Sequence, residues 1–287
     1  MRIPKYWAKA EQSGADHRGR PVLFRIWGWS FDSLAEASRH AGARARSICD
    51  LVTTGEKRDA YDYLEHPLRE EIVQSVGAPG EESAIITRNR YGALVLNCRS
   101  VCFADVDHER AGSDGIVDAL RCLFSSRRRR EKAQASRQAT AQRVRDWFHH
   151  HPDRSCRVYE TAAGLRLLFT DRHYDPVSEE VSRLLVDLGS DALYRRLTLR
   201  QECFRARLSP KPWRCGCRQP PNRYPWEHAE DERRYRAWQQ AYEAKAQQYA
   251  VCRLLEVLGN GPVDEDLAGL VQLHDQYACR PDGVQLA

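Results

Sequence analysis

The sequence has no long hydrophobic run, and none of its segments approaches the roughly 18 apolar residues that a membrane-spanning helix needs. The stretch from Met1 to Lys9 is charged and lacks the apolar core of a secretory signal. We therefore expect no membrane segment and a cytoplasmic location. Hydrophobic residues make up 42% of the 287 residues, which excludes wholesale disorder and predicts a folded protein of one or two domains.

Lysine is scarce, because the 45 basic residues comprise 6 lysines and 39 arginines. The net charge of 45 − 40 = +5 indicates little by itself. Arginine binds phosphate through two parallel hydrogen bonds and stacks on bases, so its abundance favours a polyanionic partner. A GC-rich genome also favours arginine codons whatever the function, so the position of the arginines carries more weight than their number.

The ten cysteines lack the spacing of a small secreted disulfide scaffold, since most are spread singly through predicted strands and helices. We expect them to be small buried hydrophobic residues in a reducing compartment. Cys215 and Cys217 form the one close pair, with Cys203 and His228 the nearest further ligands. Their C-x-C spacing is tighter than the C-x₂₋₄-C of zinc knuckles, so both a zinc site and an unliganded pair remain open.

Hydrophobic patterns predict an N-terminal strand over 22–29, then a helix capped by Ser30 or Ser33 that runs to about Asp50. A second helix is predicted to begin at Pro67 and to end near Val76. Further elements follow in order: three consecutive antiparallel strands at 84–87, 93–96 and 101–106, a helix near 115–124, a long polar helix through Trp147, a hairpin over 157–169, an amphipathic helix over 176–188, and a strand over 203–208.

Strands interleaved with helices, without strict βαβ alternation, predict an α+β fold with an antiparallel or mixed sheet core flanked by helices. We divide the chain into an N-terminal α/β unit (1–80), an α+β core (81–215), and a proline-rich loop with a helical C-terminal region (216–287).

Asp105 and Asp107 lie two residues apart in an apolar strand, so both side chains project from one face while Val106 points into the core. Two carboxylates about 6–7 Å apart repel each other unless a cation lies between them. Mg²⁺ and Mn²⁺ prefer oxygen ligands of this kind, and paired carboxylates suit phosphoryl transfer. The alternative is a pair of acidic residues at a strand end that simply faces water.

At this strand the chain resembles the archaeo-eukaryotic primase superfamily, the primase–polymerases, through its hydrophobic-Asp-hydrophobic-Asp pattern at 104–107. The segment Tyr159-Glu-Thr-Ala-Ala-Gly-Leu-Arg166 is similar to the family hairpin whose basic residue contacts the incoming triphosphate, with Arg166 where histidine is usual. The resemblance covers roughly residues 80–215. It implies a third metal-binding aspartate, which is Asp191 or Asp187; we favour Asp191, because Asp187 falls within a predicted amphipathic helix.

The resemblance also implies an RRM-like catalytic palm, with Mg²⁺ or Mn²⁺ held by Asp105, Asp107 and Asp191 and the triphosphate neutralised by Arg166. Further basic residues predict contacts to nucleic acid or triphosphate, because they share a strand face, lie in a rigid loop beside a tryptophan, or form a run of like charge: Arg205, Arg207, Lys211, Arg214, Arg127, Arg128, Arg129 and Arg130. We expect a metal-dependent nucleotidyltransferase that uses nucleoside triphosphates on nucleic acid. The alternatives are a metal-dependent nuclease and a non-catalytic nucleic-acid-binding or replication accessory protein.

Overall fold

The computed structural model describes residues 1, 3–55, 67–78, 80–108 and 126–287. This part of the chain is an α+β protein with three antiparallel sheets, as the sequence pattern predicts. Its strands are β1 (Tyr6–Ala15), β2 (Pro21–Ser30), β3 (Glu71–Val76), β4 (Ala84–Arg88), β5 (Leu94–Cys98), β6 (Phe103–Asp107), β7 (Cys156–Thr161), β8 (Gly164–Phe169), β9 (Phe204–Arg207) and β10 (Cys252–Leu258). Its helices are α1 (Leu34–Thr54), α2 (Ser126–His150), α3 (Glu179–Asp187), α4 (Ala192–Gln201), α5 (Ala229–Ala246) and α6 (Ala268–Ala278).

The N-terminal unit is a β1–β2 hairpin covered by α1. Ser33 caps α1, since its hydroxyl accepts a hydrogen bond from the Glu36 amide at 3.2 Å. The helix lies so close to β2 that a Cβ added at Gly28 would be 2.2 Å from the Ala41 nitrogen. The predicted strand and helix are confirmed here, whereas β1 was not predicted.

The first four-stranded sheet has the order β3-β4-β5-β9. The helix predicted between Pro67 and Val76 is wrong, because residues 71–76 form β3 and pair with β4. Ile72, Val73 and Val76 are β-branched, and such residues fit a pleated strand better than a helix. This pairing joins residues on the two sides of the predicted division at residue 80.

The second four-stranded sheet has the order β10-β7-β8-β6. The prediction of three consecutive antiparallel strands is therefore wrong for the third: β4 pairs with β5, but β6 leaves for the second sheet and pairs with β8. The chain between β5 and β6 is held to the end of β8, because the amide of Phe169, the last residue of β8, donates to the Cys102 carbonyl at 3.0 Å. The predicted β7–β8 hairpin and the β9 strand are confirmed.

The C-terminal region is helical, as expected, but it also supplies β10, which pairs with β7 and was not predicted. Residues 216–287 and 81–215 thus share a sheet. Helix α2 packs on one face of that sheet through Val144 and Phe148, and α6 covers the other through His274. In the described ranges, no helix is long and apolar enough to cross a membrane. The helix predicted near 115–124 lies outside those ranges.

Candidate functional site

Asp105 and Asp107 end strand β6 on the sheet face that α6 covers. The Asp105 side chain is 36% exposed and Asp107 is exposed, while Val106 between them is 0% exposed. The strand alternation therefore places the two aspartates as the sequence predicts.

Arg166 lies directly opposite Asp105 in the β6–β8 register. Its Nε donates to Asp105 Oδ1 at 2.9 Å and its Nη2 to Oδ2 at 3.4 Å, so the guanidinium engages both carboxylate oxygens. A third hydrogen bond, 2.9 Å long, runs from Nη1 to the Arg207 carbonyl. Although its side chain is only 1% exposed, the Arg166 cation is fully compensated. The predicted proximity of Arg166 to Asp105 is confirmed.

Helix α6 adds a polar network that the sequence did not indicate. The carboxylate of Asp275 accepts hydrogen bonds from Tyr159 at 2.7 Å, from Arg157 at 2.9 Å and from His274 Nδ1 at 2.9 Å. With Nδ1 donating, the His274 Nε2 lone pair faces Arg166 Nη1 at 3.5 Å. Burial, together with the nearby Arg166 cation, holds the pKa of His274 below its ordinary value, so the ring is neutral at pH 7.

Two further cations lie within electrostatic range of these aspartates: Arg207 interacts with Asp105, and Lys211 with both Asp105 and Asp107. Arg214 in turn lies within range of Arg207 and Lys211. Within the described residues, the Arg207 guanidinium has no hydrogen-bond or ion-pair partner, and its buried Nε is unsatisfied. Burial and the neighbouring Arg166 lower the pKa of Arg207 to about 10. Burial and the charges of Arg207 and Arg214 likewise lower the pKa of Lys211. Three cations, Arg166, Arg207 and Lys211, thus interact with the two carboxylates, and Arg214 adds further positive charge beside them.

The loop after β9 carries Lys211 and Arg214, and both side chains are partly exposed. It is anchored where the Ser209 hydroxyl accepts from the Leu94 amide at 2.8 Å and lies 2.7 Å from the Tyr242 hydroxyl. Lys211 Nζ lies 5.6 Å from the ring centre of Trp213, whose side chain remains 47% exposed.

A second aromatic residue, Tyr91, meets Trp213 edge to face with ring centres 5.1 Å apart, and the Arg90 guanidinium covers Tyr91 at 4.5 Å. We call the four residues Lys211, Trp213, Tyr91 and Arg90 the cation–aromatic strip. The sequence did not indicate Tyr91 and Arg90, because they lie between two predicted strands, more than a hundred residues before the loop. The side-by-side cation and ring in Arg-Tyr-Gly was the signal available for finding them.

Arg205 does not join this cluster, although it shares a strand face with Arg207. Its Nη2 donates to both carboxylate oxygens of Glu70 at 2.8 Å, so its charge is neutralised. Arg205 was predicted to contact phosphate, but in the structure it is already paired with Glu70.

The basic run begins α2, and Arg127, Arg128 and Arg130 are exposed. The Arg129 side chain lies outside the described part of the structure. Further along the helix, Arg137 pairs with Glu160 at 3.1 Å, near the end of β7. At 1.5 Å per residue the basic run lies about 10–15 Å beyond that point, outside the cluster around Asp105. Positive charges at a helix N-terminus oppose the helix dipole, and at this end Arg127 is paired with Glu131 at 2.9 Å.

Asp191 caps α4, because its Oδ1 accepts the Tyr194 amide at 2.9 Å, whereas Asp187 ends α3. The preceding residue, Ser190, donates to the Asp105 carbonyl at 3.0 Å, so Asp191 begins its helix beside β6.

The three aspartates do not fit a divalent ion as they stand. Both oxygens of Asp105 contact Arg166, and Asp191 is engaged as a helix cap. In the part of the chain that the structure describes, only one group brings three His, Cys, Asp or Glu ligand atoms within 4.8 Å of one another: His173, Asp264 and Asp266. The magnesium or manganese site therefore stays a prediction, and no chemical step is assigned to it.

Cys215 and Cys217, for which the sequence left a zinc site open, are also not arranged as a zinc site. Cys215 Sγ donates to the Pro212 carbonyl at 3.2 Å, and Cys203 is fully buried before β9. Neither cysteine, nor Cys217 or His228, belongs to the three-ligand group found among the described residues.

The site thus combines a neutralised Asp105–Arg166 pair, an Arg207 guanidinium without a partner among the described residues, and the exposed ring of Trp213. Comparison with known proteins adds no assignment: no family model, curated protein or solved structure matches the chain.

Proposed function

We propose that this chain binds the phosphate groups of nucleoside triphosphates and nucleic acid at the cluster of Arg207, Lys211 and Arg214. It would thus resemble a primase–polymerase that still recognises its substrates. An anion supplied by a ligand would relieve the repulsion among these cations. It would also supply an acceptor for the Arg207 Nε, which has none among the described residues. We also propose that the protein acts in the cytoplasm.

The observation that carries this proposal is the state of Arg207. A buried polar group without a partner costs about 1–3 kcal/mol, more when it is charged, so proteins rarely keep one without a use. The unsatisfied Nε of Arg207 lies beside Arg166 and Arg214, whose charges further disfavour its protonated form. A phosphate oxygen is the ligand that supplies both the acceptor and the negative charge.

The cation–aromatic strip supports single-stranded nucleic acid as the polymer. Bases of a single strand are free to stack on exposed rings, each stack being worth about 1–3 kcal/mol, and basic side chains follow the backbone. Trp213 offers an exposed ring, and Lys211 links the strip to the cluster around Asp107. The basic end of α2 supplies a separate surface for the same polyanion.

The test is to replace Arg207 with glutamine and to titrate inorganic triphosphate and a short labelled single-stranded oligonucleotide. Losing one charge-assisted contact of about 1.5–3 kcal/mol is expected to weaken triphosphate binding about 10- to 100-fold. Arg233→Gln is the matched control, because Arg233 is 76% exposed and already paired with Glu230. It is expected to leave binding unchanged.

The pKa of Arg207, about 10, provides an independent readout. Because a phosphate binds the protonated guanidinium, affinity is expected to hold from pH 7 to about pH 9. It then falls toward tenfold per pH unit as Arg207 loses its proton. Glutamine at this position removes the part of the fall that Arg207 causes. Equal affinities for Arg207→Gln and the wild type would contradict the proposal.

Nucleotidyl transfer of the primase–polymerase type is a second candidate, favoured by the Ser190–Asp105 contact that starts Asp191 beside β6. Primer extension with Mn²⁺ or Mg²⁺ tests it, with Asp107→Asn as the variant because Asp107 is exposed. Extension is expected to be abolished, because the variant lacks one of the two β6 carboxylates that the resemblance assigns to the metal. Triphosphate binding is expected to be retained, because the substitution removes an anion near Lys211. Shortened products would indicate the nuclease, and binding without any turnover would indicate the non-catalytic member.

A further inference from the structure

A pair of thiols on β10 and at the end of α6 lies within electrostatic range of Arg166. Cys252 begins β10 and Cys279 directly follows α6, and their sulfur atoms are 3.8 Å apart. The backbones also meet here, because the Val251 amide donates to the Ala278 carbonyl at 2.8 Å. The approach is thus fixed by main-chain contact and not by side-chain rotamers alone.

The two sulfurs differ in exposure and in acidity. Cys252 is 0% exposed, whereas Cys279 lies at a helix end and is partly exposed. Either sulfur can donate to the other, and Cys279 Sγ also lies 3.9 Å from Asp275 Oδ1. The contact with Cys252, helped by the charges of Arg157 and Arg166, outweighs that carboxylate and holds the pKa of the Cys279 thiol below its ordinary value. A thiolate is the nucleophilic form of cysteine, so Cys279 is the sulfur that a reagent reaches first.

We propose that Cys252 and Cys279 form a redox-active site that hydrogen peroxide converts to a disulfide, a property that goes beyond phosphate binding. The Cys279 thiolate attacks the peroxide, the O–O bond breaks, and a sulfenic acid and hydroxide form. The Cys252 sulfur then displaces the sulfenic hydroxyl and the S–S bond closes. The two thiol protons leave with the two oxygens as water, so one peroxide is reduced for each disulfide formed.

The disulfide would tie α6 to β10 at the position where α6 covers the site. The sulfur–sulfur distance shortens from 3.8 Å to about 2.05 Å, which requires a small movement of one element. Cys252 Sγ lies 3.9 Å from His274 Nε2, and that nitrogen faces Arg166. In a reducing compartment such a bond is reversible, as expected of a sensing pair and not of a structural one.

The reduced full-length protein is treated with hydrogen peroxide, and its disulfides are mapped by mass spectrometry of non-reduced peptides. We expect one intramolecular bond between Cys252 and Cys279. We also expect a melting temperature higher by about 5–10 °C, because the cross-link closes a loop of moderate length. Dithiothreitol is expected to reverse both changes.

Cys279→Ser is the principal variant, since its partly exposed position tolerates the change, and Cys252→Ser is the second. Each is expected to lose the peroxide-induced rise in melting temperature. Cys98 and Cys203 serve as internal references, because both are fully buried and burial raises the pKa of their thiols. Two intact thiols at Cys252 and Cys279 after treatment, or a bond mapped to another pair, would overturn the proposal.

Discussion

Replacing Asp105 with alanine is expected to destabilise the protein by about 3–5 kcal/mol, the cost of leaving a buried charge without its partner. The charge concerned is Arg166, whose side chain is 1% exposed. Without the carboxylate, the guanidinium keeps the Arg207 carbonyl at 2.9 Å and the neutral His274 nitrogen at 3.5 Å. Neither carries a negative charge, so the cation stays uncompensated.

The reverse substitution, Arg166→Met, is expected to cost less, about 1–3 kcal/mol. The Asp105 side chain is 36% exposed, so water can solvate the carboxylate that remains. The double variant is expected to be more stable than the sum of the single losses implies, because it removes both charges together. Urea unfolding of the three variants gives the coupling free energy directly.

Asp282→Ala is the control for this series, since Asp282 is exposed and makes no ion pair among the described residues. Its effect is expected to stay within about 0.5 kcal/mol. If Arg166→Met cost more than Asp105→Ala, the unpaired arginine would not be the dominant loss, and the account of a compensated buried pair would be wrong.

The sequence predicted the local part of this site because local rules determine it. Strand alternation set Asp105 and Asp107 on one face, and the turn before Arg166 indicated the β7–β8 hairpin. The register that sets Arg166 opposite Asp105 involves residues 61 positions apart, and the family resemblance was needed to bring them together.

The sheet assignment failed where the decision was non-local. Nothing in the short connection after β5 shows that the chain changes sheets, since turn residues alone also suit a hairpin. The strand β10 escaped prediction because its alternation is broken by a bulge between Leu254 and Glu256. With β10 unassigned, the position of α6 over the site, and hence the role of His274, had no basis.

The two arginines of β9 illustrate what a sequence cannot give. Arg205 and Arg207 are equivalent by strand alternation, and both were predicted to contact phosphate. The difference is Glu70, which lies 135 positions away and neutralises only Arg205. Which of the two arginines is paired within the described residues is thus decided by tertiary partners, and only Arg207 remains available for the proposed phosphate contact.

The position of Asp107 depends on Gly164, its partner across the β6–β8 ladder. A Cβ added at Gly164 would lie 2.1 Å from the Val106 carbonyl oxygen and 2.8 Å from the Asp107 Cα. Both are backbone atoms of the neighbouring strand, so no side-chain rotation relieves the clash. Gly164→Ala is therefore expected to force the two strands apart and to cost about 3 kcal/mol of stability.

Gly269→Ala in α6 is the matched control, because no atom lies within 4 Å of the added Cβ and the site is an exposed helix position. It is expected to stabilise the protein by about 0.5–1 kcal/mol through helix propensity. Urea unfolding of both variants measures the contrast, and triphosphate titration of Gly164→Ala shows whether displacing Asp107 alters the cationic cluster. If Gly164→Ala unfolded at the wild-type urea concentration, the close approach of β8 to β6 would be refuted.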